Sequence, residues 1–281
     1  MKKRFALPAI FLLCLVIPPC VNGQKIKAEE IVSRYLASIG PADKRALIKS
    51  FVAVGDVHVV YVTQKNQPAN GRIVIASEGN KMFLGMKLNA LDYPQEKILF
   101  DGRKVDVAIV RGGSRSVLGN FVQSNSVLIS QGLLGSALTT AWGLYGIDER
   151  RTKVSLAGTK KLDGKDVYAL TINPKGGGDL EITMFFDQET FHHVRTEYKR
   201  TSSAGIGRTI DESARQSETR LKLTEDFSDF KDFQGITIPN KYKLSYSVTG
   251  ANGTTEIVWT CSLTEFAINQ TLDPSTFEVG K

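Results

Sequence analysis

Apolar residues recur at every second position along much of this chain, and the runs are short. Met82, Leu84, Met86 and Leu88 alternate with other residues, which gives that segment one strongly apolar face. Ser50 to Val62 is rich in Val and Tyr, and Gly71 to Ser77 carries Ile73, Val74 and Ile75. Such residues suit a pleated, half-buried strand. Ile98 to Phe100 runs into Asp101-Gly102, and Val105, Val107 and Ile109 alternate beyond it. Asp-Gly between two such runs predicts a two-residue hairpin turn, because both residues tolerate positive φ. Leu162-Asp163-Gly164-Lys165 repeats that signal. Strands are predicted over Val167 to Ile172, Leu180 to Phe186 and Phe191 to Lys199, with Gly176-Gly177-Gly178 and Asp187-Gln188-Glu189-Thr190 as their turns. Leu221 to Phe233, Ile236 to Val248 and Thr255 to Phe266 are the last strands. Thr201 to Glu218 is polar and weakly patterned and is expected to be a long mobile hairpin loop.

Two segments break the alternation. Ala28, Ile31, Val32, Tyr35, Leu36 and Ile39 fall at helical spacing, and Gly40-Pro41 stops the run. Ser116 to Ile147 contains no charged residue. Its length and composition predict a helix over Val127 to Ile147, after a short helical turn near Leu118 to Val122. Three placements are open to it: a helix in an ordinary core, a membrane span, or a lid packed over an apolar cavity. Ser130, Gln131, Ser136, Thr139 and Thr140 make it polar for a span. The expected total is about ten or eleven short antiparallel strands and two helical segments. No composition shift marks a linker, so residues 24–281 are expected to form one domain.

The N-terminus changes the picture. Lys2, Lys3 and Arg4 precede an apolar run, Phe5 to Ile17, of signal-peptide length. Val21-Asn22-Gly23 offers a cleavage site, giving residues 1–23 as a signal peptide and Gln24 as the mature start. Cys20 as a lipidated cysteine is the alternative, but Ile17-Pro18-Pro19 before it obstructs the cut. Export to the periplasm or beyond is therefore expected. The three leader cations reduce the net charge of +7 to +4 in the mature chain. That suffices for weak attraction to anionic membrane surfaces and falls short of a nucleic-acid binder. Beyond Cys14 and Cys20 only Cys261 remains, so an intrachain disulfide is excluded for the mature chain.

No motif for catalysis emerges. There is no G-x-S-x-G, and any triad must draw on three histidines. His58 is mid-strand, while His192 and His193 are adjacent and point to opposite faces. Cys261 shares a face with Ile257, Trp259 and Leu263, as a buried small apolar residue would. His193, Arg195 and Glu197 alternate as a solvated strand face and make a poor metal set. Asp226, Asp229 and Asp232 recur every third residue, a spacing that fails the calcium loop. Gly176-Gly177-Gly178 lacks the P-loop lysine and hydroxyl, and Arg111-Gly112-Gly113 reads as a turn. Neither an enzyme nor a bound cofactor or metal is expected.

Longer patterns carry a resemblance. Phe227-Ser228-Asp229-Phe230-Lys231-Asp232-Phe233-Gln234-Gly235-Ile236-Thr237-Ile238-Pro239 is one. Leu162-Asp163-Gly164-Lys165-Asp166-Val167-Tyr168-Ala169-Leu170, followed by Phe185-Phe186-Asp187-Gln188-Glu189-Thr190, is another. With the helix Ala28 to Gly40 and the ending Leu272-Asp273-Pro274-Ser275-Thr276-Phe277, these resemble the periplasmic lipoprotein-carrier superfamily. That superfamily comprises LolA/LolB-like proteins, including outer membrane lipoprotein-sorting proteins. The resemblance implies a mainly β (α+β) fold: a curved antiparallel sheet forming an unclosed barrel, with helices packed on its concave face as a lid. It also implies a non-catalytic carrier or binder of lipid, lipoprotein acyl chains or a similar hydrophobic ligand. An envelope protein would be donor or acceptor, with transient membrane contact. Candidate lining residues are Met82, Leu84, Met86, Leu88, Phe100, Leu134, Leu138 and Trp142. Plain core packing is the competing reading for each, although methionines adapt well to varied apolar shapes. Gly132, Gly135 and Gly143 would weaken the lid helix and help it open. The alternative function is an envelope adaptor or structural protein with a filled barrel, binding a protein partner on an exposed strand edge.

Overall fold

Residues 26–63, 66–204 and 218–278 are described by a computed structural model. They form one antiparallel sheet of twelve strands that does not close into a barrel. The first five strands are β1 (Ser50–Tyr61), β2 (Ala69–Glu78), β3 (Lys81–Leu88), β4 (Gln95–Phe100) and β5 (Val105–Val107). The next four are β6 (Lys153–Leu162), β7 (Lys165–Asn173), β8 (Glu181–Asp187) and β9 (His193–Ser202). The last are β10 (Thr219–Phe233), β11 (Ile236–Gly250) and β12 (Gly253–Ile268). The spatial order is β5-β4-β3-β2-β1-β12-β11-β10-β9-β8-β7-β6. β5 and β6, consecutive in sequence, therefore sit at opposite edges. The chain between them must cross a whole face of the sheet, which explains the uncharged stretch: it is sandwiched against the apolar side.

That crossing shows that the sheet is curved. Ser136 bonds His193 on β9, and four residues later Thr140 bonds Ser77 on β2. β9 and β2 lie five places apart, about 24 Å in a flat sheet. A short turn spans them because the sheet curls around it. Close backbone approach within the sheet requires glycine at position 55, where β1 shifts register against β12. A Cβ there would lie 2.1 Å from the Ser262 carbonyl oxygen.

The turns follow their local chemistry. Asp163 and Gly164 take φ of 50° and 84°, the two-residue hairpin expected of them. Asp101-Gly102 differs from expectation. The Asp101 carboxylate accepts the N–H groups of Arg103 and Lys104, and only Gly102 has positive φ, so a four-residue loop forms instead. Ile109 lies beyond β5 and is exposed. The predicted loop over Thr201 to Glu218 falls largely on residues 205–217, outside the described residues, as does the predicted leader.

Helix α1 (Ala28–Ile39) matches its pattern and ends at Gly40. A second short helix, α2 (Ala42–Leu47), follows. In the crossing segment, α3 (Val117–Ser124) starts at Ser116, whose hydroxyl accepts the Gly119 N–H at 2.7 Å. The helix expected over Val127 to Ile147 is not there. Only α4 (Val127–Ser130) and a 3-10 turn at Ser136–Leu138 form. Gly132, Gly135, Trp142, Leu144 and Gly146 adopt left-handed backbone, and a right-handed helix cannot run through such positions. The glycines break the helix rather than soften it. Among the described residues no helix is long and apolar enough to cross a membrane.

Candidate ligand-binding site

The eight residues expected to line a cavity share one side of the structure. Met82, Leu84, Met86 and Leu88 project from β3 and Phe100 from β4, on the face that the crossing segment covers. Leu134, Leu138 and Trp142 come down from that segment. All eight are buried in one continuous apolar cluster, none more than 7% exposed. They touch a common core, and none of them borders the open mouth described below.

A buried polar clasp ties the crossing segment to the sheet. Glu225 on β10 is fully buried. Its carboxylate accepts the Tyr198 and Tyr242 hydroxyls, each at 2.6 Å, and the Gly135 backbone N–H at 2.7 Å. Burial pushes its pKa up to about 7, against the pull of those three hydrogen bonds. His193 lies beside it in the segment's contacts. The Ser136 hydroxyl bonds its Nδ1 at 2.9 Å, and its Nε2 bonds Thr196 Oγ1 at 2.8 Å and the Arg195 carbonyl at 3.0 Å. Burial lowers its pKa to about 3, so the ring is neutral. A serine beside a neutral histidine invites comparison with a triad. Here the far nitrogen meets a threonine and a carbonyl rather than a carboxylate, and the adjoining space is about 10 Å³. No substrate fits there.

Neither Glu225 nor His193 was singled out for this role by sequence. His193, Arg195 and Glu197 do not share a solvated face. A bulge opposite Phe185 and Phe186 inverts the alternation, so His193 turns inward while Arg195 faces out to pair with Asp226. The usable signal was at β10. Leu223, Glu225 and Phe227 alternate inward, and a carboxylate in that row must find buried partners.

An open cavity of about 280 Å³ lies at one end of the crossed face, between the end of β1, the start of β12, the β3–β4 loop and the start of α3. Tyr93 and Trp259 form its floor, edge to face with centroids 6.5 Å apart. Trp259 Nε1–H donates to the Tyr93 hydroxyl at 3.2 Å, which donates to Glu96 at 2.6 Å. Ser116 also donates to Glu96. Burial raises the Glu96 pKa, and these hydroxyls oppose the shift. The rim is unusual. Val117 lines the cavity, and Val62, Leu91 and Ile109 each adjoin a lining residue (Tyr61, Asp92 and Val110). All four are exposed, Leu91 at 91%. They are four of the seven large hydrophobics that the described residues expose, and Val117 is the one of them that lines the cavity.

A larger hollow, about 400 Å³, lies on the outer face near Val167 and Val194. Three ion pairs lie in its wall, Arg195 with Asp163 and Asp226, and Lys243 with Asp226, beside Lys165, Lys241 and Asp187. Among the described residues no three His, Cys, Asp or Glu side chains gather as a metal site.

Solved structures give likenesses of low sequence identity. It is similar to a LolA superfamily protein from Nitrosomonas europaea, 14% identical over 90% of this chain and 98% of that one, with a TM-score of 0.46. It is similar to a domain assigned to the outer membrane lipoprotein-sorting proteins from Vibrio parahaemolyticus, 11% identical over 89% and 97%, TM-score 0.44. A DUF1329 family protein from Desulfovibrio piger aligns at 13% identity over 89% and 97%, TM-score 0.41. No family model and no curated protein matches the chain.

Proposed function

We propose that this protein is a non-catalytic carrier or binder of an acyl-chain amphiphile in the bacterial envelope. The mature form would run from Gln24 to Lys281 as one half-barrel domain in the periplasm. The observation that carries the reading is the mouth: an aromatic-floored cavity lined by exposed Val117, with exposed Val62, Leu91 and Ile109 each next in sequence to a lining residue. Each of those side chains would release about 1.5–3 kcal/mol on full burial in a membrane or a cargo. An acyl chain entering there gains about 0.8 kcal/mol per buried methylene. Its deeper path lies under the crossing segment, toward Trp142, Leu138, Leu134 and the β3 row. That space opens only when the segment lifts, which breaks the bonds of Gly135 to Glu225, Ser136 to His193 and Thr140 to Ser77. Rim contact with a membrane is the step at which cargo would enter or leave.

Native mass spectrometry of protein purified from a periplasmic extract without detergent tests this. A co-purifying lipid or acylated species, lost when Leu138 and Trp142 are made charged, is expected. An empty protein that also refuses a fluorescent fatty-acid probe sinks the carrier. The packed core beneath the segment favours a second reading, an envelope adaptor with a filled interior and a protein partner. The ten-residue edge strand β6 is where a partner strand would add.

A further inference from the structure

The mouth carries one cation that the protein itself does not neutralise. Arg111 is paired with Asp92 across the rim. Arg115 also lines the cavity, half-buried, and is in no ion pair among the described residues. Its Nε–H donates to the Val107 carbonyl at 2.9 Å. That bond fixes the guanidinium plane and leaves its terminal nitrogens available. The nearby start of α3 is already served, because Ser116 caps it and the Glu96 carboxyl is buried against it. The demand for negative charge at this mouth therefore belongs to Arg115.

The cavity wall is apolar where it leads inward, with Tyr93, Trp259 and Ile257, and polar where Arg115 and Ser114 stand.

From this we infer that the mouth selects an amphiphile with an anionic head, whose carboxylate or phosphate is held by the Arg115 guanidinium while a chain lies on Tyr93 and Trp259. The inference rests on the carrier reading above and adds the head-group class. A guanidinium is suited to it, since it presents paired donors to a carboxylate or phosphate.

The test uses three amphiphiles with one chain and different heads: dodecanoate, dodecanol and dodecyltrimethylammonium, each titrated calorimetrically below its micelle concentration. Dodecyl phosphate is added to separate the two anion sources. Dodecanoate or dodecyl phosphate should bind about tenfold or more tighter than dodecanol, the ratio expected of one charge-assisted hydrogen bond. The ammonium head should bind weakest. In Arg115→Gln the anion preference should vanish while dodecanol binding stays, and Arg115→Lys should restore part of it. Equal binding of acid and alcohol overturns the inference and leaves the carrier reading standing. A preference that survives Arg115→Gln overturns it too. If none of the four binds, the carrier reading falls with it. Should Arg115→Gln not fold, the head-group ranking on the unaltered protein decides alone.

Discussion

Glu225 and His193 set opposite pH dependences on the same clasp, and one substitution separates them. The Glu225 carboxyl has its pKa raised from 4.5 to about 7. Between those values the folded chain keeps a proton that the unfolded chain has released, so its contribution to stability falls as pH rises. At about 1.4 kcal/mol per unit the fall amounts to about 3 kcal/mol. His193 is lowered from 6.5 to about 3. There the unfolded chain holds the extra proton, so stability rises with pH over that window, by about 5 kcal/mol in all. From pH 4.5 to 6.5 the two slopes nearly cancel. Glu225→Gln preserves the shape and an acceptor oxygen and removes one slope. The charged and titratable groups around it, Tyr198, Tyr242 and Asp226, remain in both proteins and drop out of the comparison. Urea unfolding of both proteins across this range should therefore diverge. Relative to the unaltered protein, Glu225→Gln should gain about 3 kcal/mol between pH 4.5 and about 7. Parallel curves would refute the buried, proton-linked clasp. Glu225→Ala is the cruder perturbation. It leaves the Tyr242 hydroxyl and the Gly135 N–H without an acceptor, at about 1–3 kcal/mol each, while the Tyr198 hydroxyl keeps the Leu133 carbonyl at 3.1 Å.

Three further outcomes follow from the packing and the rim. Leu138→Ala, at a side chain with no exposure, should destabilise by about 2–5 kcal/mol in the same unfolding assay, and a loss well under that would mean loose space under the segment. The Cys261 thiol is buried on β12 and its pKa is pushed up to about 12, so a thiol reagent at neutral pH should label only the denatured protein; prompt native labelling would show that β12 opens. In a flotation assay with anionic vesicles, Leu91→Glu with Ile109→Glu should abolish association, and unchanged flotation would show that the rim does not touch the bilayer.

The strands were legible because each has one wet face and one dry face. Alternation from Met82 to Leu88 and from Ile257 to Leu263 marked the buried side correctly, and Asp163-Gly164 marked its turn. What escaped was set by long-range geometry. The order that places β5 and β6 at opposite edges leaves no local trace, yet it dictates that the uncharged stretch must cross the sheet. That stretch looked helical because its composition suits a helix. Its glycines were counted as weak helix residues, whereas Gly132, Gly135 and Gly146 supply the left-handed turns of an irregular crossing, joined unexpectedly by Trp142 and Leu144, and Gly143 does not. His193 was assigned to a wet face because a bulge shifts the period by one, and a bulge is invisible to a count of alternations. The mouth escaped for a different reason. Its lining residues Tyr61, Asp92, Val110 and Val117 stand at a strand end, in loops and at a helix start, and only the fold gathers them.

The central claim is that an acyl chain enters at this mouth and lies on Tyr93 and Trp259. Photocrosslinking with a diazirine-bearing fatty acid, followed by peptide mapping, tests it most directly. The account predicts light-dependent adducts on the segments that carry Tyr93, Val117 and Trp259, competed away by unlabelled dodecanoate. Adducts confined to the outer face around Val167 and Val194, or no light-dependent adduct at all, would contradict it.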